Sequence, residues 1–172
     1  MLNRAPLAVV FVLVVSLILV PSSARSESDG DIRKKADVRV LLAVTEGGQA
    51  TKSPLHVIIE NVGDKPQSHF EEWNSWGYGN VTVEWTDASG KSGTVAKVPG
   101  RFTKNYPSTV TLQSGEALVR EISFDPQLWK GWPEIASGTK LQLKVIYQTA
   151  PDAKVSSWTG RVSSKELTVR FR

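Results

Sequence analysis

From Asp37 onward, apolar and polar residues alternate with a period of two, the pattern of strands with one face buried. Val38, Val40, Leu42 and Val44 share one face. Leu55, Val57 and Ile59 share another, interleaved with His56 and Glu60, before Asn61-Val62-Gly63-Asp64-Lys65-Pro66 supplies turn formers. Val81, Val83 and Trp85 alternate with Thr82 and Glu84 and run into Asp87-Ala88-Ser89-Gly90, a hairpin signal, with a return strand from Thr94 to Val98. After an irregular piece, Arg101 to Pro107, a short strand is expected with Val110 and Leu112 inward. Ala117 to Phe124 places Leu118, Ile122 and Phe124 on one face, with Arg120 intruding on it. Leu141, Leu143, Val145 and Tyr147 resume strict alternation, and two further strands are expected near Val155 to Val162 and Glu166 to Phe171. Pro126 to Gly138 has no regular period and leaves room for one helical turn.

About eight short strands at roughly ten-residue spacing, with no βαβ spacing, predict an all-β fold: an antiparallel two-sheet β-sandwich, immunoglobulin-like in topology. A closed barrel or jelly roll would alternate in the same way. The first residues follow a different pattern. Arg4 precedes an unbroken apolar run from Leu7 to Val20, then Pro21-Ser22-Ser23-Ala24. A basic start, a short apolar stretch and small residues before a cut read as a secretory signal peptide over 1–24, cleaved near Ala24. A polar, disordered neck over 25–36 then leads to one domain over 37–172.

Export sets the compartment as secreted or periplasmic. An uncleaved signal would instead hold the chain at a membrane. The chain carries 21 Lys and Arg against 17 Asp and Glu, scattered along its length, and this gives no basic stripe for nucleic acid. Cysteine is absent, so neither disulfides nor thiolate metal sites hold the fold, and the hydrophobic core must.

Several segments carry a resemblance. The strand running into Glu60-Asn61-Val62-Gly63-Asp64-Lys65-Pro66, the hairpin Val83-Glu84-Trp85-Thr86-Asp87-Ala88-Ser89-Gly90-Lys91, the turn Thr111-Leu112-Gln113-Ser114-Gly115-Glu116 and the strand entry Gly138-Thr139-Lys140-Leu141-Gln142-Leu143-Lys144-Val145 come in matching order. Together they resemble small bacterial extracytoplasmic immunoglobulin-like domains, including the domain of BsuPI-type proteinase inhibitors. The resemblance spans most of Asp37 to Gln148 and implies a fold; it assigns no inhibitory residue. The stretch Trp73 to Tyr78 and the segment from Val155 to Arg172 depart from the pattern.

The densest chemical signal is His69-Phe70-Glu71-Glu72-Trp73-Asn74-Ser75-Trp76-Gly77-Tyr78-Gly79-Asn80, expected between two strands. Loops at the end of a sandwich commonly carry function. Trp73, Trp76 and Tyr78, joined by Trp129 and Trp132 of the second aromatic stretch, are the candidate binding residues, because flat rings with polar handles suit a sugar or a peptide. The competing reading is that these rings plug the ends of the sheets. Trp85 and Trp158 are expected within strands, as packing residues. His69 with Glu71 and Glu72 is too small a ligand set for a metal. No nucleophile motif surrounds His56 or His69, and no catalytic residue or cofactor is assigned. The expectation is a non-catalytic binding domain whose partner is a protein or a carbohydrate at the cell envelope. The alternatives are a proteinase-inhibitor-like domain, a carbohydrate-active protein or a metal-binding protein.

Overall fold

The computed structural model describes residues 37–103, 105–152 and 154–172. The signal peptide and the neck expected before Asp37 lie outside the described residues. Among the described residues, eleven strands and one helical turn follow one another: β1 (Val38–Ala43), β2 (Leu55–Asn61), β3 (Gln67–Phe70), α1 (Ser75–Tyr78), β4 (Val81–Asp87), β5 (Ser92–Lys97), β6 (Thr109–Leu112), β7 (Ala117–Ile122), β8 (Trp129–Lys130), β9 (Lys140–Thr149), β10 (Gly160–Ser163) and β11 (Leu167–Arg170). The chain is all-β, and every ladder between these strands is antiparallel.

Three sheets result. The first has the order β1-β2-β7 and the second β10-β9-β4-β5-β8, with β11 also on β9, while β3 and β6 form a two-stranded ladder. The ten-residue β9 organises the second sheet. One edge pairs with β4 along its length; the other takes β11 on its first half and β10 on its second. Between those two partners Ser164 fills the gap, its Oγ accepting from the Val145 N–H at 3.0 Å while its own N–H donates to the Val145 carbonyl at 2.8 Å. No backbone group of β9 is stranded at that step.

The core follows directly from the alternation. Val38, Val40, Leu55, Val57, Ile59 and Ile122 of the first sheet join Val83, Trp85, Val95, Leu141, Leu143, Val145, Tyr147 and Val169 of the second in one buried cluster, an arrangement consistent with a β-sandwich. A buried asparagine turns the corner from the first sheet into the β3–β6 ladder. The Asn61 amide donates to the carbonyls of Lys65 and Leu112 at 2.8 and 2.9 Å, and its side-chain oxygen accepts from Gly63 at 3.0 Å. The pair β2/β7 thus continues across this corner as β3/β6.

Several expectations are corrected. Val110 is exposed although it shares a face of the β3–β6 ladder with its cross-strand partner His69 and with Leu112, and only Leu112 of β6 is buried. Trp158 lies before β10 and not within a strand. Pro126 to Gly138 contains a turn and the two-residue β8, which pairs with the edge of β5, whereas the one helical turn is α1.

Candidate functional site

β3 delivers the chain to the aromatic segment, and Asn74 fixes how it turns. This residue is fully buried and caps α1, its side-chain oxygen accepting from the N–H groups of Trp76 and Gly77 at 3.1 and 3.0 Å. Its amide donates to the Ser108 carbonyl at 3.0 Å and reaches the Ser108 hydroxyl at 3.2 Å, tying α1 to the start of β6. Glu71 accepts a hydrogen bond from the same Ser108 hydroxyl. Gly77 has no alternative, since a Cβ there would collide with the Glu71 carbonyl. Asn105 completes the link between the two loops: it accepts from the Ser75 N–H at 3.0 Å and donates to the Ser75 hydroxyl at 2.6 Å.

The result is a presented aromatic pair. Trp73 is 47% exposed and Tyr106 is 61% exposed, with ring centres 4.9 Å apart and planes at 69°, an edge-to-face contact. The other candidates are held inward. The Trp76 indole N–H donates to the Asp152 carboxylate at 2.7 Å, and the Lys154 N–H, followed by this indole and the Val155 N–H, holds that carboxyl below the usual range. The Tyr78 hydroxyl donates to the Val98 carbonyl at 2.9 Å, and its ring meets Phe102 edge-on. Trp129 is buried at 3% exposure within the core cluster. Trp132 is half-buried against Phe124, donating to the Ser123 carbonyl at 3.1 Å.

The five candidates therefore do not form one platform. Tyr78 and Trp129 are brought together around Lys97, whose ammonium lies 4.5 Å from the Tyr78 ring centre and 5.5 Å from that of Trp129 and pairs with Glu72. Trp132 lies apart, packed on Phe124. Trp73 alone among the five is exposed, and its partner Tyr106 was missed by sequence reasoning; the signal was a lone tyrosine before Pro107 in an irregular segment.

Beneath this end lies a buried polar knot. His69 Nδ1 is 3.0 Å from the Tyr147 hydroxyl, and the Trp158 ring stacks on both His69 and Tyr147. Burial, with the Arg120 charge nearby, lowers the His69 pKa from 6.5 to about 4, so the ring is neutral at neutral pH. The intruding Arg120 is accommodated on the inner face of β7: it donates to the Phe70 carbonyl at 2.7 Å and pairs with Glu72 at 3.1 Å. Glu72 therefore bridges two cations, Arg120 and Lys97.

This arrangement positions and rigidifies. Among the described residues no group of three or more His, Asp or Glu side chains is placed to hold a metal ion, and no helix is long and apolar enough to cross a membrane. Compared with protein families, with curated proteins and with solved structures, the chain matches none of them.

Proposed function

We propose that this is a secreted or periplasmic, non-catalytic, immunoglobulin-like binding domain whose contact point is the Trp73–Tyr106 pair and whose partner is a protein. The compartment rests on the leading apolar run with its small-residue cut site, and the immunoglobulin-like type on the strand spacing and the turn resemblances. The observation that carries the binding reading is the exposed ring pair on two loops that are cross-tied by Asn74, Ser75, Asn105 and Ser108. Large aromatics held rigidly at a loop tip lose little entropy on binding, and they supply the contact energy of protein interfaces. Rings at 69° form a wedge and not the flat floor on which a sugar stacks, so a protein is favoured over a carbohydrate.

The test is affinity capture from the host's envelope extract with the full chain and with the Trp73→Ala/Tyr106→Ala variant. The expected result is a protein retained by the first and lost with the second. Equal retention by both would remove the ring pair from the reading. The same two proteins assayed against a protease panel address the inhibitor-like alternative, which requires slowed hydrolysis by the parent chain.

A further inference from the structure

The solvent face of the three-stranded sheet carries an unexpected pattern. Leu41 pairs with Ile58 and Ile58 with Val119, so these three aliphatic residues form one straight row across β1, β2 and β7. Leu41 is 40% exposed, Val119 is 60% exposed and Ile58 between them is half-buried. The row on one side reads Arg39, Glu60, Ala117, and the row on the other reads Ala43, His56, Glu121. Each flanking row carries its own polar pair: Arg39 Nε donates to Glu60 at 2.9 Å, and the His56 ring lies 3.6 Å from the Glu121 carboxylate. An apolar centre rimmed by charge is the anatomy of a contact surface.

We propose that this face associates with the same face of a second copy, about a two-fold axis running along the Leu41–Ile58–Val119 row. The operation lays the apolar row on itself and exchanges the two flanking rows. Glu60 then faces His56 of the other copy, twice over, an acid opposite a base. Arg39 faces Ala43, and Glu121 faces Ala117, so each long side chain meets a methyl group that leaves it room. No like charges are placed opposite one another. A two-fold axis along the strands fails this test, since it sets Glu60 against Glu60 and His56 against His56. Self-complementarity under one operation is what a closed, isologous dimer requires.

The contact is small. Three strands about 4.8 Å apart and three rows about 6.7 Å apart cover roughly 300 Å² per copy. That is well below the roughly 800 Å² per partner of a stable interface, so the association is weak and reversible, visible only at high protein concentration.

Sedimentation equilibrium of the full chain over a wide concentration range tests this, with circular dichroism confirming that each variant is folded. The parent chain is expected to show a monomer–dimer equilibrium. Val119→Lys, at an exposed position, is expected to weaken it at least tenfold. Ala43→Glu, which places a carboxylate opposite Arg39 of the other copy, is expected to tighten it several-fold, whereas general stickiness would be weakened by the added charge. A chain that stays monomeric at the highest concentration overturns the proposal. So does association unchanged by Val119→Lys, or weakened by Ala43→Glu.

Discussion

Trp73 and Trp129 both come from segments without a regular period, flanked by polar residues and glycines, yet one stands half in water and the other sits in the core. The difference lies in what their neighbours permit. Gly131, two residues after Trp129, has φ of +100°, and its bare Cα lies so close to the Thr94 carbonyl that any Cβ would collide with it. That approach lets β8 pair with the edge of β5 and drives the Trp129 indole inward. Gly131 also accepts a hydrogen bond from the Trp85 indole N–H at 2.8 Å, which locks a second ring beside it. Around Trp73 the backbone is spent otherwise. Its neighbour Asn74 is the side chain that goes inward, capping α1, and Trp73 is left on the outside. A tryptophan's role is thus set by which adjacent residue satisfies the backbone.

The comparison can be broken most sharply at Trp129. Trp129→Ala is expected to cost about 3–5 kcal/mol in denaturant unfolding, through lost burial and the cavity left behind. A loss under 1 kcal/mol would mean that the ring is not a core element. Next in size is the buried knot under the loop end. His69 takes a proton more readily unfolded, near 6.5, than folded, near 4. Its contribution is therefore nil above pH 6.5, and stability falls as pH drops from 6.5 toward 4, by about 3 kcal/mol over that window. Stability curves of the parent chain and His69→Gln should converge in relative terms as the pH falls, the variant lacking this part of the acid sensitivity.

Asn74→Ala removes a cap and two ties to Ser108, and about 1–2 kcal/mol is expected from the same unfolding measurement. It should also weaken partner capture while leaving Trp73 in place, because the ring pair loses its rigid mount. The smallest effect separates the two tryptophans most cleanly. Trp73→Ala is expected to change stability by less than about 0.5 kcal/mol, the range of exposed substitutions, while abolishing capture.

Much of the fold was legible because burial imposes a period that a strand cannot hide. Val38 to Leu42, Leu55 to Ile59, Val81 to Trp85 and Leu141 to Tyr147 all show it, and all are core strands. β3 was not legible: Gln67-Ser68-His69-Phe70 buries two adjacent residues, one of them a histidine, and so breaks the alternation. Val110 reads as inward because it alternates in step with Leu112, and it does share that face, but the cover over Leu112 and His69 does not extend to it. In the site, Trp73 was named from sequence with four rings that prove to be tied down or buried. Exposure depends on long-range partners such as Asp152, Val98 and Ser123, which no local pattern announces. The one-turn helix did carry a local signal, an asparagine cap at Asn74 and a glycine at Gly79.

Gln49 pairs with Phe171 in an isolated parallel bridge, its backbone N–H donating to Arg170 and its carbonyl accepting from Arg172, while its buried side chain braces the surrounding loop at Thr45, Ala50 and Ser53. The clasp joins opposite ends of the described domain, and Phe171 belongs to the core it closes. Such a bond forms only after the intervening chain has been brought into place, so its entropy cost falls due before its reward. The domain is accordingly built to fold slowly, on the millisecond-to-second scale of sheet proteins rich in distant pairings.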